Sequence, residues 1–408
     1  MIHLFFFVHD HSGARTYADE LLSYLITVPD IKVHKVFFDC KYFKEYTIEQ
    51  EQGIVQIHLP SCKLPGRKLD KYSERCLDLM DPLIKGKENL IFHLNDSLQV
   101  KLGIKAKERF GAKLIYTLHF LPDYFSYFFD EKVVDLETTG DTLEREMVKK
   151  ADQIICVTRF AKKSICNYYN VPENKVVAIH NGYGTLGQNQ IISEIEKIKL
   201  KADLGFNTNE KLVLFVGLLE ERKGLKYLVQ AFNLLCELHK NIRLVIVGNG
   251  NYDEVLKYAK SNWGNITLTG KISSEEVNQL YQVATIGVIP SVFEQCSYVA
   301  LEMMSVGLPM VVASAPGLNE LYDDGVNAIV VPLKKGCKDR LKLEMDASEL
   351  NYAIDKLIND PNLQKQFKET STLKWQQQYT ARTMGFETLK IYNRMIEIEC
   401  VAKQSNIS

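Results

Sequence analysis

The feature that most constrains this chain is a series of short apolar runs that do not alternate with polar residues. The first run is Ile2–Val8, and similar runs occur at Leu90–Leu94, Leu212–Val216 and Ile286–Ile289. A strand that is apolar on both faces is buried on both faces, as in a parallel sheet covered by helices. Helical stretches such as Leu225–Leu238 lie between the runs. The pattern therefore predicts a doubly wound α/β fold.

The alternation of strands and helices is interrupted once, over residues 182–211. This stretch is first Gly-rich and then charged, which is typical of a linker. A single core seldom exceeds about 250–300 residues, so a chain of 408 residues is expected to hold two domains. We expect two Rossmann-like domains, 1–184 and 185–384, that face a central cleft. The tail Leu373–Ile398 has a helical pattern, and its end, about 385–408, is expected to pack back onto the first domain.

Composition excludes several classes of function. The net charge is −1, so no overall field draws the chain to nucleic acid. Nine cysteines without a CxxC pair are typical of reduced thiols in the cytoplasm. The opening apolar run lacks the basic start and small-residue cleavage site of a signal peptide, and it is too short to cross a bilayer. We therefore interpret it as a buried strand.

The most informative segment joins the strand Ile286–Ile289 to a helical stretch that starts at Tyr298. Glu294 falls in the connecting loop, and Glu302 falls just inside the helix. Free backbone N–H groups near Ser297 make this helix start suitable for an anion such as a diphosphate. The Glu302 carboxylate is placed to accept hydrogen bonds from a vicinal diol. In an arbitrary chain, two glutamates at this spacing are more often solvated charges.

A second segment, Phe215–Gly224, has the same order of strand, Gly-containing loop and helix. Lys223 stands at the helix entry, where an ammonium group can pair with a phosphate, and Arg222 is adjacent. Taken alone, the two residues fit an ordinary exposed Lys-Arg pair in a loop better. A third strand-end loop runs to Ile272, and its backbone groups are placed to contact a nucleotide base. No GxGxxG or Walker loop is present, so a dinucleotide site is not supported.

Together these segments resemble the C-terminal donor domain of family 4 glycosyltransferases, which have the GT-B fold. The resemblance runs over residues 211–332 and is carried by Glu294-x7-Glu302 followed by Met303–Pro309. By resemblance, Glu302 binds the donor ribose, Glu294 contacts the transferred sugar, and Lys223 contacts the diphosphate. Further donor-binding residues are expected at Gly13, Arg222, Ile272, Gln295, Cys296, Ser297 and Tyr298.

The first half of the chain resembles the family's N-terminal domain more loosely. Gly13 follows the first strand and is similar to a short glycine loop that approaches the donor phosphate. His119 ends a strand and is similar to a histidine that hydrogen-bonds the donor sugar. Without the resemblance, a strand-end histidine satisfied by backbone groups is the simpler interpretation. Asn95 and Asp96 follow the preceding strand and are expected on the acceptor side.

The sequence departs from the family at Leu218, because an arginine usually follows the preceding glycine. Lys223 and Arg222 then remain to neutralise the leaving diphosphate. No Asp-x-Asp motif occurs, and the adjacent side chains of residues 9–11 lack the spacing of a metal cluster. We therefore expect no metal and no cofactor. Cations and N–H dipoles directed at the leaving diphosphate are expected to supply the catalysis.

The resemblance implies a retaining glycosyltransferase of polysaccharide biosynthesis. Its donor is a nucleotide sugar, with a UDP-sugar slightly favoured over a GDP-sugar, and its acceptor is a glycan, a lipid-linked sugar or a polypeptide. Two alternatives share the fold: a nucleotide-sugar 2-epimerase, and a non-catalytic nucleotide-sugar-binding partner of another transferase. The expected location is the cytoplasm, with loose attachment to the inner face of the membrane left open.

Overall fold

The chain divides into two α/β units. The structure is a computed structural model, which describes residues 1–8, 12–38, 45–51, 53–61, 69–119, 139–184, 192–335 and 343–405. The first unit comprises Met1–Gly182 and Ala381–Ser408, and the second comprises Tyr183–Thr380. The first transition falls at Gly182, two residues before the predicted boundary, and the second falls at Thr380 rather than at 384.

A mostly parallel sheet forms the centre of the first unit. Its described strands are β1 (Ile2–Val8), β2 (Ile31–Phe37), β3 (Thr47–Glu51), β4 (Ile54–His58), β5 (Leu90–Leu94), β6 (Lys113–Leu118), β7 (Gln153–Cys156) and β8 (Val176–Ala178). They are ordered β3-β4-β2-β1-β5-β6-β7-β8. The central strands β1 and β5 are buried on both faces, as their continuous apolar sequences predict. Edge strand β3 is antiparallel to β4 and fully exposed, so no apolar run indicated it.

Helices cover this sheet. They are α1 (Ser12–Leu25), α2 (Leu69–Ile84), α3 (Val100–Phe110), α4 (Thr139–Lys150) and α5 (Arg159–Tyr169). Thr158 caps the start of α5, where its hydroxyl accepts a hydrogen bond from the Ala161 amide, and Asn170 in the left-handed conformation caps its end. Both ends carry the residue types that such positions favour.

The second unit contains a six-stranded parallel sheet whose chain order turns around one strand. Its strands are β9 (Lys211–Val216), β10 (Ile242–Val247), β11 (Ile266–Gly270), β12 (Ile286–Ile289), β13 (Met310–Ala313) and β14 (Ile329–Val331). They are ordered β11-β10-β9-β12-β13-β14, so β10 and β12 flank β9 on opposite sides. Such a switch point is where open parallel sheets bind ligands, at the carboxyl ends of the strands. A small antiparallel pair, β15 (Leu333–Lys335) and β16 (Leu343–Met345), is separate from this sheet.

The remaining helices follow in chain order. They are α6 (Glu194–Asp203), α7 (Leu225–Leu238), α8 (Tyr252–Ala259), α9 (Ser274–Val283), α10 (Tyr298–Ser305), α11 (Leu318–Leu321), α12 (Ala347–Asn359), α13 (Pro361–Gln378) and α14 (Ala381–Ser405). Helix α6 lies inside the stretch interpreted as a linker, and its capping box joins Ser193 and Glu196. That S-x-x-E pattern is a helix-start signal in the sequence. In the part of the chain that the structure describes, no helix is long and apolar enough to cross a membrane.

The helical tail is two helices rather than the single stretch Leu373–Ile398. Helix α13 ends at Gln378, and α14 begins at Ala381. At the break, the Tyr379 carbonyl accepts a hydrogen bond from the Tyr183 amide at 2.9 Å, and its hydroxyl donates to the Glu320 carbonyl at 2.8 Å. These contacts depend on distant residues, so the helical pattern of the sequence did not predict the break.

Helix α14 packs on the first unit. A Cβ atom at Gly385 would lie 2.2 Å from the Tyr24 ring, so only glycine permits this approach to α1. Farther along α14, the buried Tyr392 hydroxyl lies 2.6 Å from Nδ1 of His93 on β5. His93 is 0% exposed, so its ring nitrogen has no access to water if this partner is lost. The hydrogen bond therefore fixes α14 to the core of the first unit.

The substitution Tyr392→Phe tests this contact. We expect the free energy of unfolding to fall by about 1–3 kcal/mol, because a buried imidazole nitrogen loses its partner. Urea denaturation of the full chain measures the change. Tyr352→Phe is the matched control, since Tyr352 is 70% exposed. Equal effects of the two substitutions would contradict the assignment.

Candidate functional site

Two loops at the switch point of the second unit are in backbone contact. Gly224 follows β9 with a φ of 68°, and a Cβ atom there would lie 2.0 Å from the Pro290 carbonyl oxygen that follows β12. The Val292 amide also donates to the Arg222 carbonyl at 2.9 Å. Glycine at position 224 therefore allows an approach that any side chain would block.

This approach brings Lys223 and Glu294 together. The Lys223 ammonium donates to Oε1 of Glu294, and the Ser291 hydroxyl donates to the same oxygen at 3.0 Å. The side chains of Lys223 and Glu294 are only 16% and 7% exposed. Two residues selected from separate sequence segments thus form one ion pair, and the Glu294 carboxylate is held by two donors.

The loop after Glu294 is fixed just before α10. A Cβ atom at Gly317 would lie 1.6 Å from the Gln295 carbonyl oxygen, and the Gly317 amide donates to the Glu294 carbonyl at 3.1 Å. Cys296 is buried, and the Ser297 hydroxyl caps the helix by accepting from the Ala300 amide at 3.4 Å. Tyr298, the first residue of α10, is half-buried. The predicted residues 295–298 therefore form one continuous loop and helix start beside the ion pair.

Glu302 is the fifth residue of α10, and Tyr281 of α9 orients it. The Tyr281 hydroxyl donates to Oε2 of Glu302 at 2.6 Å. No residue in the described part of the chain donates a hydrogen bond to Oε1, which leaves that oxygen to accept one from a ligand. Burial raises the pKa of the Glu302 carboxyl, and the hydrogen bond from Tyr281 opposes the shift. Sequence reasoning missed Tyr281, since it lies 21 residues before its partner on a different helix.

The loops after β9 and β10 also meet through glycines. A Cβ atom at Gly248 would lie 1.8 Å from the Gly217 carbonyl oxygen. Leu218, where the family resemblance expects arginine, is 45% exposed. The Arg222 guanidinium donates to Glu220 at 2.7 Å rather than joining the Lys223 pair. Ile272 follows β11 and is half-buried.

In the first unit, His119 and Asn95 lie together at the ends of β6 and β5. Nε2 of His119 is 3.0 Å from Oδ1 of Asn95, whose amide donates to the Phe7 carbonyl at 2.8 Å. Asp96 instead accepts a hydrogen bond from the Leu98 amide at 2.7 Å, which caps a short helical turn. Gly13 lies in α1, and a Cβ atom there would meet no atom within 4 Å. Packing therefore does not require glycine at that position.

A buried polar chain lies behind His119. Its ring makes an edge contact with Tyr17, with the ring centres 4.8 Å apart. The Tyr17 hydroxyl is 3.1 Å from Oγ1 of Thr117, which is 2.6 Å from Nε2 of His93, and His93 reaches Tyr392. Burial lowers the pKa of His93 to about 3, so its imidazole is neutral near pH 7. The polar residues within the apolar runs of β5 and β6 were the only sequence signal for this network.

The described residues contain no group of three or more His, Cys, Asp and Glu side chains arranged to hold an ion. His9, Asp10 and His11, where the sequence argued against a metal, lie outside the described residues.

Comparisons with known proteins match both halves of the chain. The family model described as Glycosyltransferase Family 4 matches residues 11–185, and the model described as Glycosyl transferases group 1 matches residues 196–374. An uncharacterized glycosyltransferase of Methanocaldococcus jannaschii is 31% identical over 249 residues, which are 60% of this chain and 61% of that protein. The chain thus spans about three fifths of the length of this relative.

Solved structures show the same fold. Sucrose-phosphate synthase from Thermosynechococcus elongatus has a TM-score of 0.77 at 18% identity and covers 98% of this chain and 100% of its own. Anabaena HepE in complex with UDP-glucose has a TM-score of 0.69 at 17% identity and covers 97% of this chain and 100% of its own. These likenesses confirm the predicted pair of Rossmann-like units of the GT-B fold. With a match in each half and this fold, the chain belongs to the family 4 glycosyltransferases, the glycosyl transferases of group 1.

Proposed function

We propose that this protein transfers a sugar from a nucleotide-sugar donor to a glycan, lipid-linked or polypeptide acceptor, with retention of anomeric configuration and without a metal. The observation that carries the proposal is the largely buried pair of Lys223 and Glu294 at the switch point of the second unit. An ammonium group and a carboxylate at the carboxyl ends of two neighbouring strands suit a ligand that has both a diphosphate and sugar hydroxyls.

Lys223 has the role of stabilising the leaving diphosphate. Negative charge builds on this group as the glycosidic bond breaks, and a fixed cation counters it without reorganisation. A diphosphate near Lys223 competes with Glu294 for the ammonium group, and Glu294 keeps the hydrogen bond from Ser291. The released carboxylate oxygen then accepts a hydrogen bond from the transferred sugar. The amides at the start of α10 add partial positive charge beside the phosphates.

Glu302 has the role of binding the donor ribose. Its free Oε1 accepts a hydrogen bond from a ribose hydroxyl, while Tyr281 fixes the carboxylate through Oε2. A UDP-sugar is the favoured donor, because HepE, which shares the fold, forms a complex with UDP-glucose. In the first unit, His119 contacts the transferred sugar, and the Asn95 contact sets the orientation of its ring.

A product assay tests the proposal against its alternatives. Thermal-shift screening against UDP-, GDP-, ADP- and CMP-sugars first identifies the donor, because a specific ligand raises the unfolding temperature by mass action. With that donor, we expect a glycosylated acceptor with retained anomeric configuration, at a rate unchanged by EDTA. Epimerised sugar and free nucleotide without an acceptor would indicate the 2-epimerase. Binding without any product would indicate a non-catalytic partner, and loss of turnover on chelation would contradict the metal-free mechanism.

The substitution Lys223→Ala tests the leaving-group role. We expect kcat to fall about a hundredfold or more, as when one preorganised transition-state donor is removed. Arg222→Ala is the comparison variant, because this neighbouring cation pairs with Glu220 in the structure and is the other candidate for the role. Initial-rate kinetics on both variants, with a check of folding, measures the effect. Near wild-type turnover in Lys223→Ala together with loss of turnover in Arg222→Ala would show that Arg222, not Lys223, stabilises the leaving diphosphate.

The substitution Glu302→Gln tests the ribose contact. Loss of a charged hydrogen bond is expected to weaken nucleotide binding by about 1.5–3 kcal/mol. Titration calorimetry with the nucleotide measures the change, and Glu275→Gln on the exposed start of α9 is the control. Unchanged nucleotide affinity in a folded Glu302→Gln variant would remove the assignment.

A further inference from the structure

A cavity lies at the amino ends of the strands of the same sheet, opposite the candidate site. The loops of the candidate site follow the carboxyl ends of β9 and β12. The cavity, of about 420 Å³, is instead lined by residues 282–285 and 306–309, which lead into the amino ends of β12 and β13. Helices α6 and α13 contribute most of the rest of its wall, and Thr208 and Tyr281 complete it. Its volume falls within the range of about 300–1,000 Å³ that is usual for small-molecule pockets.

The lining of this cavity is strongly basic. Four lysines and one glutamate line it: Lys197, Lys201, Lys365, Lys368 and Glu194. Glu194 pairs with Lys197 at 2.7 Å. Neither Lys365 nor Lys368 makes an ion pair with any side chain in the described ranges. One carboxylate in the lining therefore faces four cations, with Glu210 near Lys201 outside the lining, so the cavity carries surplus positive charge.

Two of the lysines are held in place by the surrounding backbone. The Lys201 ammonium donates to the Glu210 carbonyl, and to the Thr208 carbonyl at 3.1 Å. The Lys368 stem packs on the turn before β13, where a Cβ atom at Gly307 would lie 2.7 Å from its Cγ. Burial lowers the pKa of Lys368, the nearby charge of Lys197 adds to the shift, and the charge of Glu194 opposes it. Like charges held this close repel each other, so an anion among them would relieve the repulsion.

We propose that this cavity binds a phosphate-bearing ligand, with the lysines of α6 and α13 around the phosphate. The apolar part of its lining, which includes Ile198 and Leu308, offers room for the carbon skeleton of a ligand such as a sugar phosphate. Ile195 and Ile198 of α6 are 81% and 55% exposed, so the phosphate of a lipid headgroup is the other source of the same chemistry. The site is independent of the proposed sugar transfer.

Titration calorimetry on the full chain tests the site with glucose 6-phosphate and inorganic phosphate at constant ionic strength. We expect saturable binding that weakens at least tenfold in the double variant Lys365→Gln/Lys368→Gln. The control Lys240→Gln/Lys356→Gln removes the same charge from exposed positions of the second unit and is expected to leave binding unchanged. Phosphate binding that Lys223→Ala abolishes and the Lys365→Gln/Lys368→Gln variant leaves unchanged would belong to the candidate site and would overturn the proposal.

Vesicles distinguish the source of the phosphate. A lipid headgroup is the ligand if the chain co-sediments with phosphatidic acid vesicles but not with phosphatidylcholine vesicles. The Lys365→Gln/Lys368→Gln variant is then expected to lose this co-sedimentation. Calorimetric binding of glucose 6-phosphate or inorganic phosphate that also depends on Lys365 and Lys368 would support a free phosphorylated ligand. Binding to neither probe would overturn the proposal. Binding that the control double variant weakens equally would overturn it as well.

Discussion

The site of the second unit depends on the contact between Gly224 and Pro290. The chain order of the sheet turns around β9, so the loops after β9 and β12 leave the same edge side by side. The missing side chain at Gly224 lets these loops touch, and Lys223 and Glu294 become neighbours although 71 residues separate them. A buried carboxylate without a partner is costly, so the ion pair and the loop contact support each other. In the proposed function, a diphosphate competes with Glu294 for the Lys223 ammonium group that this loop contact positions.

The two edges of this sheet carry different charge arrangements. Near the carboxyl ends of the strands, Lys223 is paired with Glu294 and Glu302 is held by Tyr281. Near the amino ends, four lysines and one glutamate line the cavity. Tyr281 takes part in both arrangements, because it lines the cavity and its hydroxyl donates a hydrogen bond to Glu302. In the first unit, a comparable link runs through the core from Tyr392 to Tyr17, which contacts His119.

Strands with continuous apolar sequence were predicted well, because burial on both faces requires apolar residues at every position. The prediction of strands and helices failed where contacts between distant residues, rather than burial of a continuous apolar run, determine the local structure. Strand β3 is exposed and paired on one edge only, so its sequence has no apolar run. The tail breaks at Tyr379, where a tyrosine rather than glycine or proline is held by hydrogen bonds to distant carbonyl and amide groups. Helix α6 had a capping box in its sequence, but its surroundings suggested a linker.

The sequence by itself determined the α/β class and the segments in which Lys223, Glu294 and Glu302 lie. It also predicted two domains. These follow from local patterns, since periodicity, strand-end glycines and motif spacing are properties of short segments. Only the tertiary structure decided which of these residues meet. It paired Lys223 with Glu294, left Arg222 with Glu220, gave Glu302 the partner Tyr281, and gathered four lysines at the amino edge of the sheet. Such contacts join residues far apart in the chain, and the strand order that brings them together is not written in any one segment.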